Sequence, residues 1–86
     1  MTYTVVPDPK VDAILRKMWQ KDSVRFNQIE KKLLELGDNP EIGKPLKKPL
    51  KGFWRLHIGH FVLMYKIDKK NQKIILVDYA HHDEIY

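Results

Sequence analysis

The sequence predicts an α+β domain in two layers, ordered β-α-α-β-β-β, with a helical hairpin packed on one face of a mainly antiparallel, twisted sheet. Three observations predict it. Two stretches in the first half carry apolar residues at intervals of three and four, each opened by a capping residue and separated by only a few positions. Three alternating apolar stretches follow in the second half, joined by short turns. A β-branched segment at the N-terminus, ended by Pro7, supplies one more strand.

Taken in order, "TYTVV" (2–6) alternates and reads as a short strand. Asp8 is placed to cap a first helix with Pro9 at its first position, where the missing N–H costs nothing. Val11, Ile14, Leu15 and Met18 form its buried stripe, and Trp19 reads as a core or half-core aromatic. Asp22 and Ser23 are cap candidates for a second helix striped by Phe26, Ile29, Leu33 and Leu36. Gly37 stands where a C′ glycine belongs, ahead of "DNP". With so short a joint, the two helices should form an antiparallel hairpin. "FWRLHI" (53–58) then alternates, placing Trp54, Leu56 and Ile58 toward the helices and Arg55 and His57 away from them. Gly59-His60 is a tight turn in which His60 is incidental, "FVLMYKI" (61–67) a strand, and "DKKNQ" a hairpin loop. "KIILVDY" (73–79) is apolar on both faces, which predicts a central strand, and "AHHDEIY" is a short polar tail. Residues 1–86 read as one domain without repeats or low-complexity segments.

The hydrophobic fraction of 43% is that of a folded globular chain, so disorder is excluded as the general state. No apolar run approaches the roughly 18 residues needed to cross a bilayer, and the N-terminus lacks the pattern of a signal peptide. With no cysteine, a disulfide framework is excluded, which fits a cytoplasmic protein without membrane association. The net charge of +5 is unevenly spread. From Gly43 to Phe61 there are Lys44, Lys47, Lys48, Lys51 and Arg55 with no acidic residue, whereas residues 12–38 mix both signs. The sheet face turned away from the helices should therefore be open and basic, carrying Arg55, His57, Val62, Met64 and Lys66. Such a face is a site for a polyanionic partner. Metal-ligand types occur at His57-x-x-His60 and His81-His82-Asp83-Glu84, but their spacing and the lack of cysteine point to no metal. No glycine-rich phosphate loop or dinucleotide fingerprint is present, so no cofactor is expected.

The element order, the block "NPEIGKPLKKPLKGFWRLHIG", the strand "LMYKID" and the ending "VDYAHHDEIY" together resemble the RelE/ParE superfamily of toxin–antitoxin toxins. Within it they resemble most the RelE and YoeB mRNA interferases, and the likeness covers nearly the whole chain. The resemblance implies a single RelE-like domain that cuts messenger RNA on the ribosome, inhibits translation and is neutralised by a cognate antitoxin protein. Arg55 occupies the first arginine of the family's "WR.R.G" strand, and His57 stands where the second usually is. Val62 stands where a phosphate-stabilising arginine normally sits. His81 aligns with the terminal histidine that serves as base or acid, His82 replaces the arginine after it, and Tyr86 aligns with the C-terminal tyrosine.

Metal-free cleavage of RNA uses the 2′-hydroxyl against the adjacent phosphate, and needs a base, an acid and cations around the phosphorane. The implied catalytic set is Arg55, His81, His82 and Tyr86. The implied RNA-binding set is Lys44, Lys47, Lys48, Lys51, His57 and Lys66. On this basis Val62→Arg is expected to strengthen cutting by restoring a cation. Two alternatives share the fold or the charge: a member with a degenerate nuclease site that acts by binding, as in ParE-like gyrase inhibition, and a basic RNA-binding module.

Overall fold

Asp8 and Asp22 set the two helix starts. The computed structural model of this chain describes residues 2–81. In it the Asp8 carboxylate accepts the Lys10 N–H at 3.0 Å, and the Asp22 carboxylate accepts the Arg25 N–H at 3.2 Å. Each satisfies a donor that the first helical turn leaves without an intrahelical acceptor. Helix α1 spans Pro9–Lys21 and α2 spans Ser23–Asp38, with Asp22 alone between them as C-cap of one and N-cap of the other. That joint folds the helices back into the expected hairpin.

Strands β1 (Thr4–Pro7), β2 (Lys44–Pro45), β3 (Phe53–Ile58), β4 (Phe61–Asp68) and β5 (Lys73–His81) form one sheet in the order β1-β5-β4-β3-β2. β1 runs parallel to β5, and every other pair is antiparallel. β5 therefore lies between two strands, as its apolar residues on both faces require. The core sits between the sheet and the hairpin. Val11, Ile29 and Leu36 from the helices meet Ile58, Leu63, Tyr65, Ile74, Leu76 and Tyr79 from the strands.

Four details differ from the sequence expectation. Trp19 is 63% exposed; at 100° per residue it lies about 80° round α1 from Val11, outside the buried stripe. Gly37 is not a C′ residue but a buried position inside α2, whose C-cap is Asn39. Its carbonyl accepts the Tyr3 N–H at 2.8 Å, and a Cβ there would come within 3.2 Å of the Tyr3 oxygen. Glycine at this point admits the chain leading into β1. Ala80 and His81 belong to β5 rather than to a tail. Finally, the loop before β3 contains a 3₁₀ turn, Pro40–Ile42, and the two-residue β2.

That last feature is held by Tyr65, which is completely buried. Its hydroxyl donates to the Pro40 carbonyl at 2.7 Å and accepts the Gly43 N–H at 3.2 Å. Gly43 packs so closely that a Cβ on it would run into both the Tyr65 hydroxyl and the Arg55 carbonyl. Tyr65→Phe should cost about 1–3 kcal/mol in urea denaturation, because it strands a carbonyl and an N–H. Burial pushes the Tyr65 phenol above its ordinary 10.0; the Gly43 N–H opposes the rise and the Glu41 carboxylate adds to it. A pKa raised by folding gives stability that is complete below the unfolded value and lost as pH climbs through the folded one. The wild type should therefore lose stability above about pH 10, and the phenylalanine variant should lose less over that range.

Candidate nucleic-acid interface

Cross-strand register fixes which side chains share the face turned away from the helices. Lys44, Arg55, Met64 and Asp78 form one row by register; Phe53, Lys66 and Ile75 form the row on one side of it; His57, Val62 and Ala80 form the row on the other. The Lys66 ammonium lies 4.7 Å from the centre of the Phe53 ring, a cation–π contact across the strand pair. The β2–β3 loop carries Lys47, Lys48 and Lys51, all exposed. Backbone bonds from Leu46 N–H to the Phe53 carbonyl (2.9 Å) and from Phe53 N–H to the Leu50 carbonyl (3.1 Å) close this loop. The structure thus brings Arg55, His57, Lys44 and Lys66 onto one face, with the three loop lysines beyond its edge.

The charge of this region differs from that of the helices in its sequence neighbours. Arg16, Arg25 and Lys32 each face a carboxylate of their own helix or cap, and Lys10 bridges to Asp78 at 2.9 Å. Among the described residues, none of Lys44, Lys47, Lys48, Lys51 or Lys66 is in a salt bridge. Among the described residues Lys17, Lys21 and Lys31 on the helices are likewise in no salt bridge, so what sets the β2–β3 region apart is that its cations lie on a segment, Gly43–Phe61, without an acidic residue.

Two expectations about this face need correction. It is not open throughout: Arg55 and Met64 are half-buried, and Val62 is completely buried. Apolar atoms here gain by leaving water, at about 0.8 kcal/mol per methylene, and the Arg55 Nε is shielded from solvent with them. The face is accessible at Lys44, His57 and Lys66 and closed at its centre.

His81, in turn, does not join Arg55. Its register partner is Phe61, on the side facing the helices. There its ring meets Phe61 edge-on at 5.4 Å and lies 6.4 Å from the His60 ring, nearly parallel to it. The cause is a β-bulge: Tyr65 pairs with Leu76 but Met64 with Asp78, so Val77 is an extra residue. Strict alternation from buried Leu76 would turn His81 to the Arg55 side. The extra residue reverses the parity, puts Tyr79 in the core, and presents Ala80 on the Arg55 side instead. Among the described residues, His57 is the imidazole that shares a face with Arg55. His82 and Tyr86, the other two catalytic candidates, lie outside the described residues.

A family model for the ParE toxin of type II toxin–antitoxin systems matches residues 5–86. The chain belongs to that family. It is 40% identical over 85 residues to a Methanocaldococcus jannaschii protein named "Putative toxin RelE4", covering 98% of this chain and 90% of that one. Its fold matches the toxin–antitoxin complex RelBE2 from Mycobacterium tuberculosis with a TM-score of 0.81 at 23% identity, covering 95% of this chain and 100% of that one. It also matches the YoeB–YefM complex from Staphylococcus aureus with a TM-score of 0.78 at 18% identity, covering 95% and 99%. The protein is thus a toxin of the RelE/ParE superfamily. No helix among its described residues is long and apolar enough to cross a membrane.

Proposed function

We propose that this RelE/ParE toxin acts on messenger RNA at the ribosome as a metal-independent endoribonuclease, and that a cognate antitoxin occludes its basic face in the cytoplasm. The observation that carries this reading is the row of Lys44 and Arg55 flanked by His57, Lys66 and the unpaired loop lysines. The ammonium groups of Lys44, Lys66 and the loop lysines, in no salt bridge among the described residues, draw a phosphate strand at long range. Arginine then offers a planar fork that fits two phosphate oxygens at once. In the proposed step the ribose 2′-oxygen attacks the adjacent phosphorus and the bond to the 5′-oxygen breaks. The products are a 2′,3′-cyclic phosphate and a free 5′-hydroxyl. Arg55 balances the charge that grows on the phosphorane, and its water-shielded Nε strengthens that effect. His57, exposed on the same face, is positioned to carry the proton between the 2′-hydroxyl and the leaving oxygen.

A second reading has a specific observation behind it. Val62 stands between His57 and Ala80 in the row beside Arg55, so that position offers no second cation next to it. That favours a toxin that binds its target without cutting it. A translation extract programmed with a defined message separates the two. The nuclease reading expects message ends at fixed codon positions, only when ribosomes are engaged. Intact message with translation arrested would overturn cleavage and leave binding.

A further inference from the structure

Two adjoining cavities run along the flank of α2 beside the β3–β4 turn. One, of about 160 Å³, is lined by Arg25, Gln28, His60, Phe61 and Tyr79; the other, of about 440 Å³, by Gln28, Lys31, Lys32, Glu35 and His57. Both also include Ile58 and Gly59, so together they make one groove. It starts at His57, on the basic face, and passes the turn to the helix-facing side of the sheet. Arg25, Gln28, Lys32 and Glu35 stand at intervals of three, four and three along α2, which sets them on one side of the helix.

The chemistry of this groove is uneven in a useful way. Three cations line it: Arg25 faces Asp22 at 3.7 Å, Lys32 is 3.3 Å from Glu35, and Lys31 is in no salt bridge among the described residues, which leaves a positive excess. Its inner end is aromatic: Phe61 stacks on Tyr79 at 5.1 Å, His60 lies alongside His81, and the Arg25 guanidinium sits 4.8 Å from the Phe61 centroid. His60 is itself exposed. A groove with a positive excess that also presents an exposed ring, here His60, has the features that track single-stranded nucleic acid, the cations following phosphates and the ring taking a base.

We propose that the groove between α2 and the β3–β4 turn binds the single-stranded RNA that runs on from the basic face at His57, with Lys31 and Arg25 on its phosphates and His60 against a base. This rests on the proposal that the basic face itself holds RNA. It gives His60, which the sequence left without a role, a place in binding.

The test compares 5′-fluorescein oligouridylates of about 4 and about 10 nucleotides, the lengths bracketing short binding tracks. The wild type should bind the longer one more tightly. The double variant Lys31→Gln/His60→Ala, changed only at exposed positions, should lose about five- to tenfold for the longer oligomer and keep its affinity for the shorter. Its salt dependence should fall by about 0.7 in the slope of log K against log salt, one phosphate contact fewer on a single strand. Arg25→Gln should weaken binding alike, with only a small fall in thermal midpoint from the lost contacts to Asp22 and Phe61. If the variants keep the full length gain, the inference is overturned while the basic face retains its RNA. If poly-glutamate binds the wild type as tightly and suffers equally in the variant, the groove docks an acidic chain and the inference again fails. If neither oligomer binds the wild type, the inference is overturned, and the translation extract judges the proposed function separately.

Discussion

Arg55→Ala should lower ribosome-dependent message cutting by about 10²–10³-fold, the loss that follows removal of one preorganised charge-stabilising donor. Three features make the effect this large. Arg55 is the arginine of the basic face, it is half-buried, and its Nε is shielded from water. A charge in that setting acts through a medium far less screening than bulk solvent. Lysine at position 55 should restore only part of the rate, since it keeps the charge and loses the planar fork. His57→Ala should cost about 10²-fold or more if it moves the proton. His81→Ala, on the opposite side of the sheet, should leave the chemical step nearly unchanged. Cutting rates at matched ribosome occupancy measure all four. An Arg55→Ala protein that cuts normally would remove this face from the mechanism.

The contrast between His57 and His81 shows where sequence reading reached its limit. Helix starts were legible because Asp8 and Asp22 act on backbone within three residues of themselves. The placement of Arg55 and His57 was legible because β3 alternates without interruption and the Ile58–Phe61 turn fixes its register with β4. The placement of His81 was not, because one extra residue at Val77 reverses the parity of the rest of β5. A bulge is a property of two paired strands, and no local pattern in "KIILVDYAH" announces it. Gly43 and Tyr65 are a similar case. They lie 22 positions apart, and the short β2 exists because a buried hydroxyl from β4 holds the segment before it. The family resemblance carried the fold; the roles of particular side chains had to wait for register.

Val62→Arg tests that lesson directly. Read from sequence, the substitution restores a phosphate-binding cation and should strengthen cutting. In the folded chain Val62 is completely buried, with Ala80 opposite it on one strand and His57 on the other. An arginine there must either carry its charge into a closed site, next to the row that already holds Arg55, or push its neighbours apart. An uncompensated buried charge costs about 3–5 kcal/mol. A domain of 86 residues has of the order of 4–13 kcal/mol in total. The variant should therefore show a large fall in urea midpoint and weaker cutting, while Val62→Ile, which adds one methylene but no charge, should cost only about 1–3 kcal/mol. A stable Val62→Arg protein that cuts faster would mean that the centre of the face opens at little cost. The RNA surface would then extend across the full width of the sheet rather than along the Lys44, His57 and Lys66 rim.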